Sequence, residues 1–250
     1  MKRNHWIARG LLAVSLLAGA NLTAQQLYLR GSFNGWDTST PMVSQGGGLY
    51  SATISGTPGT RFDFKVANAD WSSSWPGGDA RTLYNSTGSA TIYYRAGSIA
   101  DGWNPAADRI GYADPAQFGW DVMGSFNAWA SPVTSLTPVG GGVYSANYLV
   151  PTAGTYTFKF REAGSWDISI GSDFRNPGGD CSAITTAANQ TLNFLLDLPN
   201  GRWSAAVVPE PASLSLLAAG ALLLLMRRHA RNQTRHTHCE RRCARQRFFR

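Results

Sequence analysis

The six residues GSFNGW at positions 31–36 return as GSFNAW at positions 124–129, ninety-three residues further along the chain. The segments that follow also match in order: GGGLYSATI with GGGVYSANYLV, FDFKVANADW with YTFKFREAGSW, and ATIYY with LNFLLDL. A length of 250 residues allows one large domain or two small ones. The repeat decides between these possibilities, and it predicts two modules of related structure.

Each copy has the residue pattern of short β-strands. In RFDFKVAN (61–68) and TYTFKFRE (155–162), aromatic and polar residues alternate. Because successive strand side chains point to opposite faces, we expect the aromatic residues in a core and Lys65 and Lys159 facing solvent. No long stretch of the body carries apolar residues at helical spacing, and turn residues recur at short intervals. The prediction is an all-β protein of two tandem β-sandwiches.

The chain divides into six segments by composition. A charged start, an apolar run and small residues predict a secretory signal peptide, which is more consistent with these flanks than a short buried helix. Near the C-terminus, a Pro-Glu-Pro sequence precedes fifteen mostly apolar residues at 212–226, which are few for a stable membrane span. The predicted segments are a signal peptide (1–24), module 1 (25–96), a linker (97–117), module 2 (118–206), a sorting signal (207–228) and a basic tail (229–250).

The distribution of charge argues against a nucleic-acid partner. The formal net charge is +7, but between residues 25 and 207 there are ten Lys or Arg and thirteen Asp or Glu. The body therefore has a net charge of about −3 and carries no basic patch of the kind that nucleic acids require. The positive charge belongs to the two ends of the chain.

Histidine and cysteine placement argues against the common catalytic and metal sites. All four histidines lie outside the body, so neither a Ser-His-Asp triad nor a histidine metal site can form there. Cys181 is the only cysteine of the body; a small buried residue is expected there in preference to a reactive thiol. We predict no catalytic residues, no cofactor and no metal, including at the tail residues His236, His238, Cys239 and Cys243.

The C-terminal residues resemble a known sorting signal. Pro209, Glu210 and Pro211, the apolar run and then Arg227 and Arg228 are similar to the PEP-CTERM signal of Gram-negative bacteria that make exopolysaccharide. The chain departs from that pattern because it continues for twenty-two residues, 229–250, beyond the arginines. The resemblance implies export across the inner membrane, transient membrane insertion through 212–226, recognition by an exosortase, and a final location at the cell surface or in the extracellular matrix.

Each repeat resembles the glycogen-binding domain of AMP-activated protein kinase β subunits, carbohydrate-binding module family 48. The similarity rests on G-S-F-N-x-W, a glycine-led strand, F-K-F-like alternation and a tryptophan just beyond. It implies an early-set, immunoglobulin-like sandwich in which two tryptophans stack on glucose rings and a lysine contacts sugar hydroxyls. The positions implied are Trp36, Lys65 and Trp71 in the first copy, and Trp129, Lys159, Trp166 and Asn193 in the second, where the first copy has Thr91 in place of the asparagine.

Together these patterns predict a non-catalytic, surface-sorted binder of α-glucan-like polysaccharide. An exposed aromatic plane beside polar donors suits the apolar face and the hydroxyl rim of a sugar, and two weak sites on one polymer gain avidity. The alternative is a structural or protein-interaction component of the surface matrix, in which the tryptophans only cover the sandwich edge. An accessory glycan-processing enzyme is a third, weaker hypothesis.

Overall fold

The structure is a computed structural model, and it describes residues 25–130, 133–176 and 178–209. These residues form β-strands and one short 3₁₀ turn at Ser125–Asn127, so the all-β prediction is confirmed. Within these ranges, no helix is long and apolar enough to cross a membrane. The predicted signal peptide, the apolar segment 212–226 and the basic tail lie outside the described residues.

The first module contains strands β1 to β7 in two antiparallel sheets. The strands are β1 (Tyr28–Gly31), β2 (Val43–Gly46), β3 (Leu49–Ser55), β4 (Arg61–Ala67), β5 (Ser74–Leu83), β6 (Ser89–Ser98) and β7 (Ala107–Tyr112). One sheet has the order β1-β4-β5 and the other the order β2-β3-β6-β7. The two GSFN copies begin at equivalent positions, because Gly31 is the last residue of β1 and Gly124 is the last residue of the strand Trp120–Gly124.

The second module resembles this arrangement, but two short strands replace β5 and one strand joins the two layers. Its strands are β8 (Trp120–Gly124), β9 (Thr134–Gly140), β10 (Val143–Val150), β11 (Gly154–Glu162), β12 (Ser169–Ile170), β13 (Cys181–Thr185), β14 (Gln190–Asp197) and β15 (Arg202–Val208). The order is β12-β11-β8-β9-β10-β14-β15, with β13 also paired to β11. Strand β9 joins the layers, because it pairs with β8 through Thr134–Leu136 and with β10 through residues 137–140.

The strand alternation expected from the sequence determines the core. Phe62, Phe64 and Val66 are buried on β4, and Phe158 and Phe160 are buried on β11. Tyr156 differs: it is half-buried, because its hydroxyl group reaches Thr152 near the surface. The rings of Phe158 on β11 and Phe194 on β14 are 4.9 Å apart, so the two layers of the second sandwich pack directly against each other.

The segment 97–117, expected as a linker, contains a strand of the first sandwich. Strand β7 pairs with β6, and its residues Ile110 and Tyr112 are buried. The same strand contacts the second module, where the Tyr112 amide donates to the Leu198 carbonyl group at 3.0 Å. Most of the glycine, proline and aspartate residues that suggested a loop lie in the connections on either side of this strand, at residues 99–106 and 113–117.

Candidate functional site

The fold itself explains the first four residues of the repeated GSFN motif. A Cβ atom on Gly31 would clash with the Asp63 carbonyl oxygen, and one on Gly124 with the Thr157 carbonyl oxygen. The next residue, Ser32, accepts a hydrogen bond from the Asp63 amide at 3.1 Å. The side-chain oxygen of Asn34 accepts from the amide of Gly31 at 2.9 Å, and Asn127 accepts from Gly124 at the same distance. These contacts build the same tight turn in both modules.

The tryptophan that ends each motif adopts a backbone conformation that its side chain disfavours. Trp36 has a φ of 65° and Trp129 a φ of 58°, in the left-handed region that bulky residues seldom occupy. Trp71, the second candidate of the first module, also has a φ of 65°. Such strain costs about 1–2 kcal/mol per residue and is concentrated at functional sites. Nothing in the turn requires an indole, so the strain points to a role for the side chain.

The structure brings the two candidate tryptophans of each module together. The ring centroids of Trp36 and Trp71 are 6.3 Å apart with planes inclined at 44°, and those of Trp129 and Trp166 are 6.2 Å apart at 43°. Trp71 and Trp166 are exposed, with 39% and 44% of their surface accessible. We call each pair an aromatic platform. In each module, two turns that are distant in sequence bring their tryptophans together, and the resulting geometry is nearly the same in both modules.

An arginine lies against the second tryptophan of each platform. The Arg30 guanidinium carbon is 3.9 Å from the Trp71 ring centroid, and that of Arg161 is 4.7 Å from the Trp166 centroid. Arg30 also donates to the carbonyl groups of Trp36, Asn68 and Ala69 at 2.7, 3.1 and 3.1 Å, so it ties both tryptophan turns together. Because the cation covers one face of the indole, the opposite face is the one that can meet a ligand.

The two arginines come from different strands and were missed by comparison of the copies. Arg30 lies on β1, where the second copy has Met123; Arg161 lies on β11, where the first copy has Ala67. A position-by-position comparison therefore pairs each arginine with an unrelated residue. The signal that could have found them is chemical: each copy has an arginine next to the conserved lysine, Arg30 across from Lys65 and Arg161 two residues after Lys159.

Lys65 and Lys159 lie on the outer face of their sheets, but they are less exposed than the alternation predicted. Only 14% and 18% of their side-chain surface is accessible. The Lys65 ammonium group donates to the carbonyl groups of Pro76 and Gly77, both at 3.1 Å, and lies 4.0 Å from Asp79. Lys159 lies 3.4 Å from Asp180. The neighbouring edge strand folds over the lysines, which the local pattern could not indicate.

Asn193 is not brought together with the second platform. It lies on β14 between the core residues Leu192 and Phe194, and its side chain bonds Asn147 and Ser145 of β10 on the outer face of that sheet. Lys159 occupies the outer face of the opposite layer, with the core between them. Thr91 has the equivalent place in the first module, where it contacts Thr53. The structure therefore separates Asn193 from the other six candidates.

A second internal repeat supplies acidic residues beside both lysines. The sequence PGGDA at 76–80 returns as PGGDC at 177–181, and its aspartates are the Asp79 and Asp180 that face Lys65 and Lys159. Their side chains are 45% and 42% accessible, so their carboxylates face solvent while the lysines are covered. The repeated tetrapeptide was visible in the sequence and identifies the pair of carboxylates that sequence reasoning missed.

Two further carboxylates flank the first platform. Asp37 follows Trp36, and Asp70 precedes Trp71. Hydrogen bonds from the side chain and backbone of Ser39 lower the pKa of Asp37, and hydrogen bonds from the backbone and side chain of Ser72 lower that of Asp70. Both groups therefore stay ionised down to a lower pH than an ordinary aspartate. They place negatively charged acceptors next to an apolar surface.

Three further aromatic residues, Trp75, Tyr84 and Trp103, pack against neighbouring side chains. Tyr84 is buried against Phe62 with a ring separation of 4.7 Å, and Trp75 packs on Tyr94 at 5.0 Å. Trp103 is half-buried, with the Arg202 guanidinium carbon 4.4 Å from its ring centroid. None of the three joins a platform.

Comparison with known proteins adds little to this geometry. No family model matches the chain, and no curated protein matches it. Among solved structures, that of SusF from Bacteroides thetaiotaomicron is similar at a TM-score of 0.31 and 16% identity, over 75% of this chain and 49% of the SusF chain. The chain thus spans about half the length of that structure's chain. A similarity of this extent supports no conclusion about the function of this chain.

Proposed function

We propose that the protein binds an α-glucan-like polysaccharide non-catalytically through its two aromatic platforms. The observation that carries the proposal is the duplicated tryptophan pair, with ring separations of 6.3 and 6.2 Å and inclinations of 44° and 43°. A sugar ring has an apolar face that an indole can cover and hydroxyl groups at its rim. The inclined planes suit a polymer whose successive rings turn, as those of an α-glucan do.

Polar groups beside the first platform support the same ligand. Sugar hydroxyls donate well to carboxylates, and Asp37 and Asp70 lie next to its two tryptophans. Three of the four platform tryptophans retain a disfavoured φ, which a purely structural aromatic would not need. Each single platform is expected to bind weakly, with a dissociation constant on the order of 0.1–1 mM.

The location belongs to the same proposal and is supported by the sequence of the two ends. The predicted signal peptide and the PEP-CTERM-like segment would direct export across the inner membrane of a Gram-negative bacterium, with an exosortase as partner during processing. Retention at the cell surface or in the exopolysaccharide matrix would place the platforms where polymer is abundant.

One observation favours a structural matrix protein as the second candidate. The ammonium groups of Lys65 and Lys159 are engaged with protein oxygens, and the resemblance had assigned them to sugar contact. In this alternative the platforms cover the sheet edges and the modules act as spacers. It predicts that replacing the tryptophans changes stability and leaves glycan affinity unaltered.

Affinity gel electrophoresis of the purified protein through glycogen, soluble starch and an unrelated β-glucan tests the proposal. We expect retardation in the two α-glucans. We expect no retardation of a fourfold variant in which all four platform tryptophans, Trp36, Trp71, Trp129 and Trp166, are replaced by alanine. A matched control replaces the exposed hairpin residues Val43 and Val139, each 62% accessible, with alanine. Unchanged migration of the folded tryptophan variant would favour the structural candidate.

A further inference from the structure

The two modules meet along a contact that joins their platform-bearing sheets. Strand β5 is the edge of the first sheet, and the connection between β12 and β13 lies against it. The Asn176 amide donates to the Asp79 carbonyl group at 2.7 Å, and Arg61 reaches both carboxylate oxygens of Glu162 at 2.6 and 2.8 Å. We call this contact the seam, formed by β5 and Arg61 on one side and by Glu162, Asp167 and residues 171–176 and 178–180 on the other.

The seam forms where the second copy departs from the first. Four residues, 76–79, lie between Trp75 and Ala80, whereas ten residues, 171–180, lie between the equivalent Ile170 and Cys181. The longer connection reaches the first module, where Gly78 leaves space for Arg175: a Cβ atom at Gly78 would lie 3.2 Å from the Arg175 Cδ atom. The insertion that breaks the sequence repeat is thus the part that couples the two copies.

A short chain of contacts crosses the seam from one platform to the other. Asp167, the residue after Trp166, accepts from Arg81 at 3.4 Å through its carbonyl group. Arg81 binds the Asp63 carboxylate at 2.6 and 2.9 Å, and the amide of Asp63 donates to Ser32 in the first GSFN turn at 3.1 Å. A few hydrogen-bonded residues therefore connect the GSFN turn of the first module with the residue that follows Trp166 in the second.

Each PGGD aspartate lies beside the lysine on the outer face of its own module. Lys65 is the cross-strand neighbour of Arg30, which stacks on Trp71, and Asp79 follows Lys65 towards the seam. On the other side, Asp180 faces Lys159, and Lys159 lies two residues before Arg161, which stacks on Trp166. Each module thus carries the same four groups on its outer face: a tryptophan pair, an arginine, a lysine and a carboxylate.

We propose that the two platforms and the seam form one continuous binding face that takes a single polysaccharide segment, with Asp79 and Asp180 accepting its hydroxyl groups between the two stacking sites. This inference rests on the proposed function. Because hydrogen bonds and an ion pair across the seam hold the modules together, a chain bound at one platform is presented to the other without the loss of effective concentration that a long flexible linker would impose. The face therefore selects for chain length as well as for sugar type.

Calorimetric titration of the purified protein with linear α-glucan oligosaccharides tests the continuous face. Ligands of about three and about twelve glucose units are compared, and we expect two short ligands but one long ligand per protein, the long one bound at least about tenfold more tightly. Trp71→Ala should reduce the short-ligand stoichiometry to one and remove the gain from length. Asp79→Asn with Asp180→Asn should lower the affinity for the long ligand and leave the short-ligand affinity unchanged.

The possible failures are distinguishable. Two long ligands per protein, each bound as weakly as a short one, would overturn the continuous face and leave the proposed function standing. Binding of a single long ligand that is insensitive to both asparagine substitutions would overturn the role of the carboxylates. Absence of binding by every oligosaccharide, in protein whose unfolding curve is normal, would overturn the proposed function and the continuous face with it.

Discussion

At the scale of single residues, each platform depends on an arginine that holds the indole from behind. Arg30 satisfies three carbonyl groups while it stacks on Trp71, and so it both orients the ring and joins the two turns. Arg161 instead lies 3.7 Å from the buried carboxylate of Asp121. Arg30 on β1 and Arg161 on β11 thus occupy non-equivalent strand positions, yet each stacks on the second tryptophan of its platform, Trp71 or Trp166.

Replacement of Arg30 by methionine should weaken the first platform more than a surface substitution would. The Asn68 and Ala69 carbonyl groups would lose their donor, and unfolding free energy should fall by about 1–3 kcal/mol. Short-oligosaccharide stoichiometry should fall from two to one, because the second platform does not use this residue. Urea unfolding and titration measure the two effects. Arg95→Met, at an exposed position of β6, is the matched control, and equal effects in the two variants would contradict the prediction.

Cys181 should behave as an inert core residue. Burial raises the pKa of its thiol well above the usual value, and the neighbouring carboxylate of Asp180 raises the pKa further. The thiolate is the reactive form, so at a pH of about 8 the folded protein should resist alkylation at Cys181 while the urea-unfolded chain reacts. Peptide mass spectrometry separates this residue from Cys239 and Cys243. Modification of Cys181 at equal rates in both states would contradict its burial.

At the scale of elements, the GSFN turn is a unit of fold architecture that is followed by a tryptophan of the platform. Glycine permits the close approach of β4 or β11, serine and asparagine bond the turn, and phenylalanine packs against the core. The tryptophan alone is unexplained by these contacts. The structural contacts thus account for G-S-F-N in both copies, and the proposed function accounts for the tryptophan.

Gly124→Ala tests the architectural part of the turn. The added Cβ atom would lie 2.8 Å from the Phe158 Cβ atom as well as against the Thr157 carbonyl group, so the strand pair must move apart. Overpacking of this kind should lower the unfolding free energy by about 1–3 kcal/mol. Gly154→Ala is the matched control, since nothing lies within 4 Å of a Cβ atom there. Chemical denaturation of both variants gives the comparison, and a neutral Gly124→Ala would refute this account of the turn.

At the scale of the whole molecule, the two sandwiches are in direct contact through β7, a strand of the segment that was expected to be a linker. Strand β7 completes a sheet of the first module and contacts the β14–β15 turn of the second. Asn104 and Trp203 exchange backbone hydrogen bonds at 2.9 and 2.7 Å, and Arg202 binds Asp101 at 3.0 Å. Together with the seam, these contacts should make unfolding cooperative across both modules.

Gly111→Ala should separate the two modules thermodynamically. A Cβ atom at Gly111 would clash with the carbonyl groups of Leu198 and Pro199, which belong to the second module. We expect one calorimetric transition for the unmodified protein and two for the variant, because the contact transmits stability between the sandwiches. Gly119→Ala, whose added Cβ atom would make only an ordinary contact at 3.6 Å with Ala163, should keep the single transition. Two transitions in the unmodified protein would show that the modules unfold independently.

The sequence by itself determined the all-β class and named the four tryptophans that the structure brings together in pairs, and its repeat predicted two modules. Strand alternation depends on residues two apart, so Phe62 and Phe64 could be assigned to a core, and the repeat identified Trp36 and Trp129 as equivalent positions. The PGGD repeat was equally available and would have identified Asp79 and Asp180.

Only the tertiary structure decided which outer faces lie together. Asn193 has the expected strand position yet lies on the opposite layer from Lys159, and Arg30 and Arg161 occupy one role from two different strands. Within the expected linker, residues 107–112 form strand β7 of the first module. The connection between β12 and β13 contacts the first module and forms part of the seam. All of these arrangements depend on contacts between strands that are far apart in the chain. A local sequence pattern determines on which face of its strand a side chain lies. It does not determine which other segment will pack against that face.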